Sequence, residues 1–150
     1  MDRLAYEAMK KSLFTFFFAL NNMIFSQPQL QQFSHDGIDR SYYLYIPDSV
    51  QPEAPLLFIF HGYTGSALGI MNYSNFNEIA DSNGFAVCYP QGLIDNFGNT
   101  FFNVGYSFHW NESNDDVDFI ISLAHFLQHE YQLSSINTFS TGMSNGGDMS

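Results

Sequence analysis

A serine flanked by glycines near the end of the chain has the spacing of a catalytic nucleophile. Residues 142–146 read Gly-Met-Ser-Asn-Gly, with Ser144 at the centre. In the Gly-x-Ser-x-Gly pattern the serine occupies a sharp turn between a strand and a helix, and its hydroxyl is exposed for attack on a carbonyl carbon. Gly142 and Gly146 leave room for the turn, and Gly147 follows where the helix would begin. An ordinary Gly/Ser-rich turn is the alternative interpretation.

The segments before this motif predict strands that alternate with helices. Leu56 to Phe60 is a continuous apolar run, which is typical of a central strand covered on both faces. Such an alternation indicates an α/β fold with a mostly parallel sheet and helices on both faces. The predicted strands are 30–34, 40–46, 56–60, 85–89 and 136–141, and a hairpin turn at 35–37 joins the first two.

Two helices are predicted from apolar spacing. The first spans residues 75–83, with Ser74 as its cap and Gly84 at its end. The second spans residues 116–131, and the acidic residues at its start suit the positive end of the helix dipole. The predicted inner residues of the first helix are Phe76, Ile79 and Ala80; those of the second are Val117, Ile120, Ile121, Ala124, Leu127 and Tyr131, with Phe119, Leu123 and Phe126 beside them.

The N-terminus resembles a cleavable export signal. A positive start at Met9-Lys10-Lys11 precedes a short apolar run from Ser12 to Leu20. This run is too short for a permanent membrane span, so no stable membrane anchoring is expected. We expect residues 1–26 to be a signal peptide, with translation starting at Met1 or Met9, and 27–150 to belong to one domain of a secreted or periplasmic protein. A buried N-terminal helix is the alternative.

The charge balance excludes several partners. The formal net charge is −11, and Arg40 is the only arginine or lysine after the predicted signal. Such a surface repels nucleic-acid phosphates and anionic membranes. A neutral substrate suits it better.

The single cysteine and the histidines give weaker signals. Cys88 lies in a predicted buried strand, so a packed thiol is favoured over a disulfide to another segment. His125 and His129 are four residues apart on the second helix, but a third metal ligand is not evident. The acidic cluster at 114–118 lacks the glycine and terminal glutamate of an EF-hand loop. We therefore predict neither a metal nor a cofactor.

Three ordered blocks carry a resemblance to a known family. They are residues 61–65 (His-Gly-Tyr-Thr-Gly) after the predicted Phe60 strand, residues 84–92, and residues 142–147. Together with the Trp-containing loop and the Asp-Asp-Val at 115–117, they resemble the α/β-hydrolases of the poly(3-hydroxybutyrate) depolymerase and feruloyl esterase group. The resemblance covers about residues 39–150 and implies the N-terminal half of that fold.

The resemblance also implies roles for individual residues. Ser144 would be the nucleophile, and the backbone N–H groups of Tyr63 and Asn145 would form the oxyanion hole, with His61 and Gly62 shaping its loop. An acyl-enzyme would form and be hydrolysed. In this fold the acid and the histidine follow the serine, and all five histidines of this chain precede Ser144. We therefore expect this fragment to be inactive by itself.

The aromatic loop from Gln91 to Trp110 has two interpretations. His109 and Trp110 could line the acyl pocket, within an aromatic wall for a polyester or a phenolic acyl group. Packing of the loop on itself is the more common use of such residues. The expected substrate is a neutral ester or polyester of polyhydroxyalkanoate, feruloyl or acetyl type. An exported serine peptidase of the same fold and a non-catalytic, hydrolase-like binding module are the alternatives.

Overall fold

A five-stranded mixed sheet forms the centre of the molecule. The computed structural model describes residues 27–150, so the predicted signal peptide at 1–26 lies outside the described residues. The strand order across the sheet is β1 (Gln29–His35), β2 (Ile38–Tyr45), β4 (Ala86–Pro90), β3 (Leu56–Phe60) and β7 (Thr138–Gly142). The β4–β3 and β3–β7 pairs are parallel, whereas the β1–β2 and β2–β4 pairs are antiparallel. The expectation of a mostly parallel sheet is corrected accordingly, because the N-terminal hairpin adds its strands in antiparallel register.

The other elements connect these strands. Between β3 and β4 lie two helices, and between β4 and β7 lie a small hairpin, a 3₁₀ turn and the longest helix. They are α1 (Ala67–Ser74), α2 (Phe76–Asn83), β5 (Leu93–Ile94), β6 (Thr100–Phe101), the 3₁₀ turn Ser107–His109, α3 (Asp116–Glu130) and, after β7, α4 (Asn145–Met149). The predicted aromatic loop at 91–110 thus contains short regular elements.

The β1–β2 hairpin confirms the predicted turn. Asp36 and Gly37 are its two central residues and have φ angles of 50° and 75°. Two positive φ angles in succession match the right-handed twist of the strands, and Asp followed by Gly favours such a turn. His35 pairs with Ile38 across it.

Side chains of β3 enter two hydrophobic cores, one on each face of the sheet. Phe58 and Phe60 pack on the side of α3, in a core that includes Phe119, Leu123 and Leu127. Ile59 packs on the opposite side with residues of α1 and α2, among them Ile70 and Ala80. This alternation follows from the pleat, since successive side chains of a strand point to opposite faces. Helices therefore cover both faces, as predicted.

Helix α1 was not predicted, and its presence corrects the capping of the next helix. Ser74 is the last residue of α1 rather than the cap of α2; Asn75, in a left-handed conformation, separates the two helices. Ser66 caps α1, accepting a hydrogen bond from the Gly69 N–H at 3.0 Å. Ile79, predicted to face inward, is 45% exposed. Ala80 is the buried residue of α2.

The buried face of α3 is rotated relative to the prediction. Val117 and Ile121 are exposed, whereas Phe119, Leu123 and Leu127 are fully buried. The cause lies at the first turn, where Asp116 is buried and its Oδ1 lies 2.5 Å from Nη2 of Arg40. Because Asp116 and Phe119 point inward together, the inner stripe continues through Leu123 and Leu127.

Cys88 is a packed thiol in β4, as predicted. Its side chain is fully buried, and burial raises the pKa of the thiol well above its usual value. It forms no disulfide within the described residues.

None of the helices within residues 27–150 is long and apolar enough to cross a bilayer.

Candidate active site

Ser144 stands at the turn between β7 and α4 with an unusual backbone conformation. Its φ and ψ angles are 54° and −120°, and its side chain is exposed. This combination of angles lies outside the left-handed helical region that Asn75 adopts, and backbone strained in this way concentrates at functional sites. The turn thus presents the hydroxyl at the carboxyl end of β7, beside the end of β3.

Close backbone approaches around this turn require glycine at two positions. A Cβ atom on Gly142 would lie 2.2 Å from the carbonyl oxygen of Gly146. A Cβ atom on Gly146 would lie 2.4 Å from the carbonyl oxygen of Phe60, so any side chain there would push β3 and α4 apart. Gly147 differs, since its Cβ would make only an ordinary contact at 3.5 Å.

The loop after β3 lies against the serine. A Cβ atom on Gly62 would be 3.5 Å from Cβ of Ser144 and 3.1 Å from the carbonyl oxygen of Met143. The next backbone N–H is that of Tyr63. Neither this N–H nor that of Asn145 donates a hydrogen bond to any residue of the part that the structure describes. The two unengaged N–H groups thus belong to the residue after Gly62 and to the residue after Ser144, which are the two positions expected to form an oxyanion hole.

Backbone hydrogen bonds fix this loop on the small β5–β6 hairpin. The Thr64 N–H donates to the carbonyl oxygen of Thr100 at 2.9 Å, and the Thr100 hydroxyl donates to the carbonyl oxygen of Gly65. The Gly65 N–H donates to the carbonyl oxygen of Gly62 at 2.9 Å and closes a tight turn. These contacts leave the Tyr63 amide between fixed neighbours, which is the preorganisation that oxyanion stabilisation needs.

His61 is a buried, neutral support of the same loop. Its Nδ1 donates to the carbonyl oxygen of Gly62 at 2.8 Å, and its Nε2 accepts from the Gly92 N–H at 3.0 Å. These partners define the tautomer, because a carbonyl only accepts and an amide N–H only donates. Burial lowers the pKa of His61, although its bond to the Gly62 carbonyl opposes that shift. Both ring nitrogens are engaged, so His61 positions the loop.

The Tyr63 side chain is held by a buried carboxylate that the sequence did not reveal. The Tyr63 hydroxyl donates to Oδ2 of Asp95 at 2.6 Å and accepts from the Asn99 amide at 2.9 Å. Nε2 of His109 lies 3.0 Å from the same Asp95 oxygen. Burial works to raise the pKa of Asp95, but the hydrogen bonds it accepts, led by that from Tyr63, lower it to about 2. Asp95 is therefore an ionised anchor for the loop at residues 61–65.

The side chain of Asn145 fixes the other half of the site. Its Nδ2 donates to the carbonyl oxygen of Phe102 at 2.9 Å, and its Oδ1 accepts from the Phe102 N–H at 2.8 Å. Both groups are buried, and leaving such partners unpaired is costly. This reciprocal pair joins the start of α4 to the segment after β6. Sequence reasoning had assigned a role only to the Asn145 backbone.

The two residues expected to line a substrate wall differ in exposure. His109 is buried, with its ring against Phe101 and Phe108 at centroid distances of 4.3 Å. It therefore packs the loop and holds Asp95. Trp110 is 83% exposed, and Phe97 and Phe108 are also exposed. The loop thus combines packed rings with an open aromatic surface.

The histidines of this chain do not supply a base to Ser144. His61 and His109 are buried and engaged as described. His125 and His129 lie on the exposed side of α3, and His35 lies at the β1–β2 hairpin. Within residues 27–150, no hydrogen bond joins any of them to the Ser144 hydroxyl.

A small apolar cavity adjoins the loop at residues 61–65. It has a volume of about 220 Å³, and almost all of its lining surface is apolar. Gly62 and Met143, which flank Ser144, contribute to its wall together with Ile70 and Tyr73 of α1. The unpredicted helix α1 therefore forms part of the space next to the serine.

Similarity to solved structures agrees with this arrangement, and the chain has an α/β-hydrolase fold. An acetyl xylan esterase from Aspergillus awamori superposes with a TM-score of 0.66 at 21% identity, over 81% of this chain and 44% of that one. An S-formylglutathione hydrolase from Agrobacterium tumefaciens gives 0.68 at 14% identity, over 82% of this chain and 51% of that one. The chain thus spans about half the length of these solved structures.

One curated relative is similar in sequence. A bifunctional acetylxylan esterase/xylanase from Neocallimastix patriciarum is 25% identical over 111 residues, which are 74% of this chain and 15% of the relative. No protein-family model matches the chain.

Proposed function

We propose that this chain carries the nucleophile and the oxyanion hole of an exported serine esterase. The observation that supports this most is the pairing of Ser144, exposed on a strained turn, with the unengaged N–H groups of Tyr63 and Asn145. An oxyanion hole stabilises the tetrahedral intermediates of acyl transfer, and each donor contributes about 3–4 kcal/mol in well-studied cases. The names of the similar proteins, which are esterases and thioester-type hydrolases, agree with this chemistry.

In the proposed mechanism the Ser144 oxygen attacks the carbonyl carbon of an ester. The negative charge that develops on the carbonyl oxygen is stabilised by the two N–H groups. The tetrahedral intermediate expels the alcohol, which takes up a proton, and leaves an acyl-enzyme that water then hydrolyses. Since no histidine of this chain is placed as the base, we propose that a histidine outside residues 1–150, with its acidic partner, accepts and returns the proton.

We propose a short acyl group on a neutral polymer as the substrate. The apolar cavity of about 220 Å³ beside Gly62 and Met143 suits a small acyl group such as acetyl. The net charge of −11 disfavours anionic substrates. The exposed Trp110 and Phe97 offer apolar rings to a polymer surface. Polyhydroxyalkanoate and feruloyl esters are the competing substrates, and the test includes them.

The test compares substrates in the full-length protein. Hydrolysis of p-nitrophenyl acetate and of acetylated xylan is measured beside a 3-hydroxybutyrate oligomer, methyl ferulate and a peptide p-nitroanilide. Acetyl esters should be turned over fastest, and Ser144→Ala should lower kcat by more than about a thousand-fold. Ser135→Ala, at an exposed serine on the loop before β7, should leave kcat unchanged.

Other outcomes would redirect the assignment. Faster cleavage of the p-nitroanilide would indicate a peptidase, and full activity of Ser144→Ala would rule out the proposed nucleophile. A folded protein without turnover of any ester would indicate a binding module. Export is tested separately, because N-terminal sequencing of secreted protein should give a start near Gln27, and a mature chain beginning at Met1 would contradict it.

A further inference from the structure

The β1–β2 hairpin brings a histidine and two carboxylates together away from the serine. His35 and Asp36 lie at the turn of the hairpin, and Asp118 lies in the first turn of α3. His35 Nε2 is 3.4 Å from Oδ2 of Asp118 and 3.8 Å from Oδ2 of Asp36. All three ligand atoms lie within 4.8 Å of one another.

The imidazole of His35 is held in place by aromatic rings. It stacks on Phe33 with a centroid distance of 6.4 Å and an interplanar angle of 17°, and it contacts the Phe119 ring at 5.9 Å. Only 11% of its side-chain surface is exposed. Its Nε2 atom is buried and has no hydrogen-bond partner among residues 27–150. Its nearest acceptors are the two carboxylate oxygens at 3.4 and 3.8 Å. A buried nitrogen that makes no hydrogen bond is costly, and an ion coordinated by the three groups would satisfy it.

Neither carboxylate is paired with an arginine or a lysine among residues 27–150. Arg40, the only arginine or lysine after residue 26, forms its ion pair with the buried Asp116. Asp36 and Asp118 are 79% and 58% exposed, so they can reorient by small side-chain rotations. Asp115, which caps α3, adds further negative charge nearby. The local field therefore favours a divalent cation.

The donor set favours zinc over calcium. Zn²⁺ binds imidazole nitrogen and carboxylate oxygen in tetrahedral sites at about 2.0–2.2 Å, which places the ligand atoms about 3.4 Å apart. The separations of 3.4 and 3.8 Å around His35 are close to that value. Ca²⁺ prefers six to eight oxygen ligands, and imidazole does not suit it. Three protein ligands leave the fourth position for water.

We propose that His35, Asp36 and Asp118 bind one Zn²⁺ ion, which connects the β1–β2 hairpin to the start of α3. This site was not predicted from the sequence, because Asp118 lies far along the chain from His35 and Asp36. The site is independent of the proposed esterase chemistry, since none of its ligands contacts Ser144. Its effect would be structural, because an ion bound only in the folded state stabilises that state.

The test measures Zn²⁺ binding by the metal-free, full-length protein. The exposed pair His125 and His129 could bind zinc by itself, so all measurements use a His125→Gln/His129→Gln background. We expect one equivalent of Zn²⁺ to bind, and a Tm increase on the order of 5 °C at a hundred-fold excess over Kd. Co²⁺ should give the visible absorption of a tetrahedral site.

Isosteric variants identify the ligands. Asp36→Asn keeps a residue that tolerates the φ of 50° at the turn, and Asp118→Asn changes an exposed side chain, so both should fold. Each, like His35→Gln, should weaken Zn²⁺ binding by at least about ten-fold. Asp48→Asn, another exposed aspartate, should not. Three results would each overturn the proposal. The first is an unchanged zinc affinity in the folded Asp36→Asn and Asp118→Asn variants. The others are no zinc binding below millimolar concentrations, and tighter binding of Ca²⁺ than of Zn²⁺.

Discussion

Gly146 and Gly147 are adjacent residues of the proposed nucleophile elbow, but the structure gives them different steric roles. A methyl group on Gly146 would lie 2.4 Å from the carbonyl oxygen of Phe60 and 2.5 Å from that of His61. These are backbone atoms of β3 and its following loop, so they cannot rotate away. A methyl group on Gly147 would meet nothing closer than 3.5 Å. The two positions therefore form a matched pair for testing the elbow.

We predict that Gly146→Ala destabilises the protein by about 2–3 kcal/mol, as overpacking in a tight site does. Gly147→Ala should change the free energy of unfolding by less than about 1 kcal/mol, because the contact is ordinary and alanine favours a helix. Urea denaturation of both variants measures the difference. Equal stabilities would contradict the close approach of α4 to β3.

His61 gives a prediction for pH dependence. Burial lowers the pKa of His61 in the folded protein below its ordinary value of 6.5. As the pH falls, the unfolded chain therefore binds the proton first, and unfolding becomes more favourable. The contribution of His61 to stability should be complete above about pH 6.5 and be lost as the pH falls from there toward the folded-state pKa.

The free energy of unfolding, measured between pH 7.5 and pH 5, checks this sign. His61→Asn should lose part of the slope seen in the wild-type protein, whereas His125→Gln, at an exposed site, should keep it. If the free energy of unfolding depends on pH as steeply in His61→Asn as in the wild-type protein, His61 does not remain neutral when buried.

Sequence reasoning found those residues of the site that lie close to one another in the chain. Ser144 and its glycines lie within six residues, and His61 to Tyr63 directly follow a recognisable apolar strand. Asp95 could not be found in this way, because its partners Tyr63 and His109 come from segments that only the folded chain brings together. An Asx turn was the available signal, since Asp95 accepts from the Phe97 N–H.

At the level of elements, one ion pair joins β2 to α3. Arg40 and Asp116 are both buried, and the Arg40 guanidinium also lies 3.8 Å above the Phe119 ring. Asp116 further accepts from the Asn103 N–H at 2.6 Å. Removing one member of such a pair leaves a buried charge without compensation.

We predict that Arg40→Met and Asp116→Leu each cost about 3–5 kcal/mol of stability. The double variant should lose less stability than the two single variants lose in sum, because it removes both charges together. Asp39→Asn, at the exposed neighbouring position, should change stability by less than about 0.5 kcal/mol. Strict additivity of the two single variants in urea denaturation would contradict a direct pairing.

The elements with strong local signals were predicted, and the others depended on tertiary contacts. The Asp-Gly turn and the apolar run of β3 suffice to predict the hairpin and the central strand. Helix α1 is only eight residues long and includes Gly69, so its local helix signal is weak. The inner face of α3 was misplaced because an aspartate at its start looks solvent-exposed until Arg40 is placed beside it.

At the level of the whole molecule, the proposed site is formed by the segments that follow two neighbouring strands, β3 and β7. β3 leads into the loop at residues 61–65, β7 leads into the turn at Ser144, and the two strands are parallel neighbours. Because parallel strands place their carboxyl ends at one edge of the sheet, residues 62 and 144 come together there. The segment between β4 and α3 holds both of these loops. Asp95 accepts a hydrogen bond from Tyr63, and the Phe102 backbone pairs with the Asn145 side chain. The proposed substrate, a neutral ester, suits the net charge of −11.

The most direct test of this account is a search for the acyl-enzyme. The full-length protein is mixed with p-nitrophenyl acetate, quenched in acid during turnover, digested and analysed by peptide mass mapping. We predict one acetyl group on the peptide that contains Ser144, and none on that peptide in Ser144→Ala. An acetyl group on a different residue during turnover, or ester hydrolysis that persists in Ser144→Ala, would contradict the central claim.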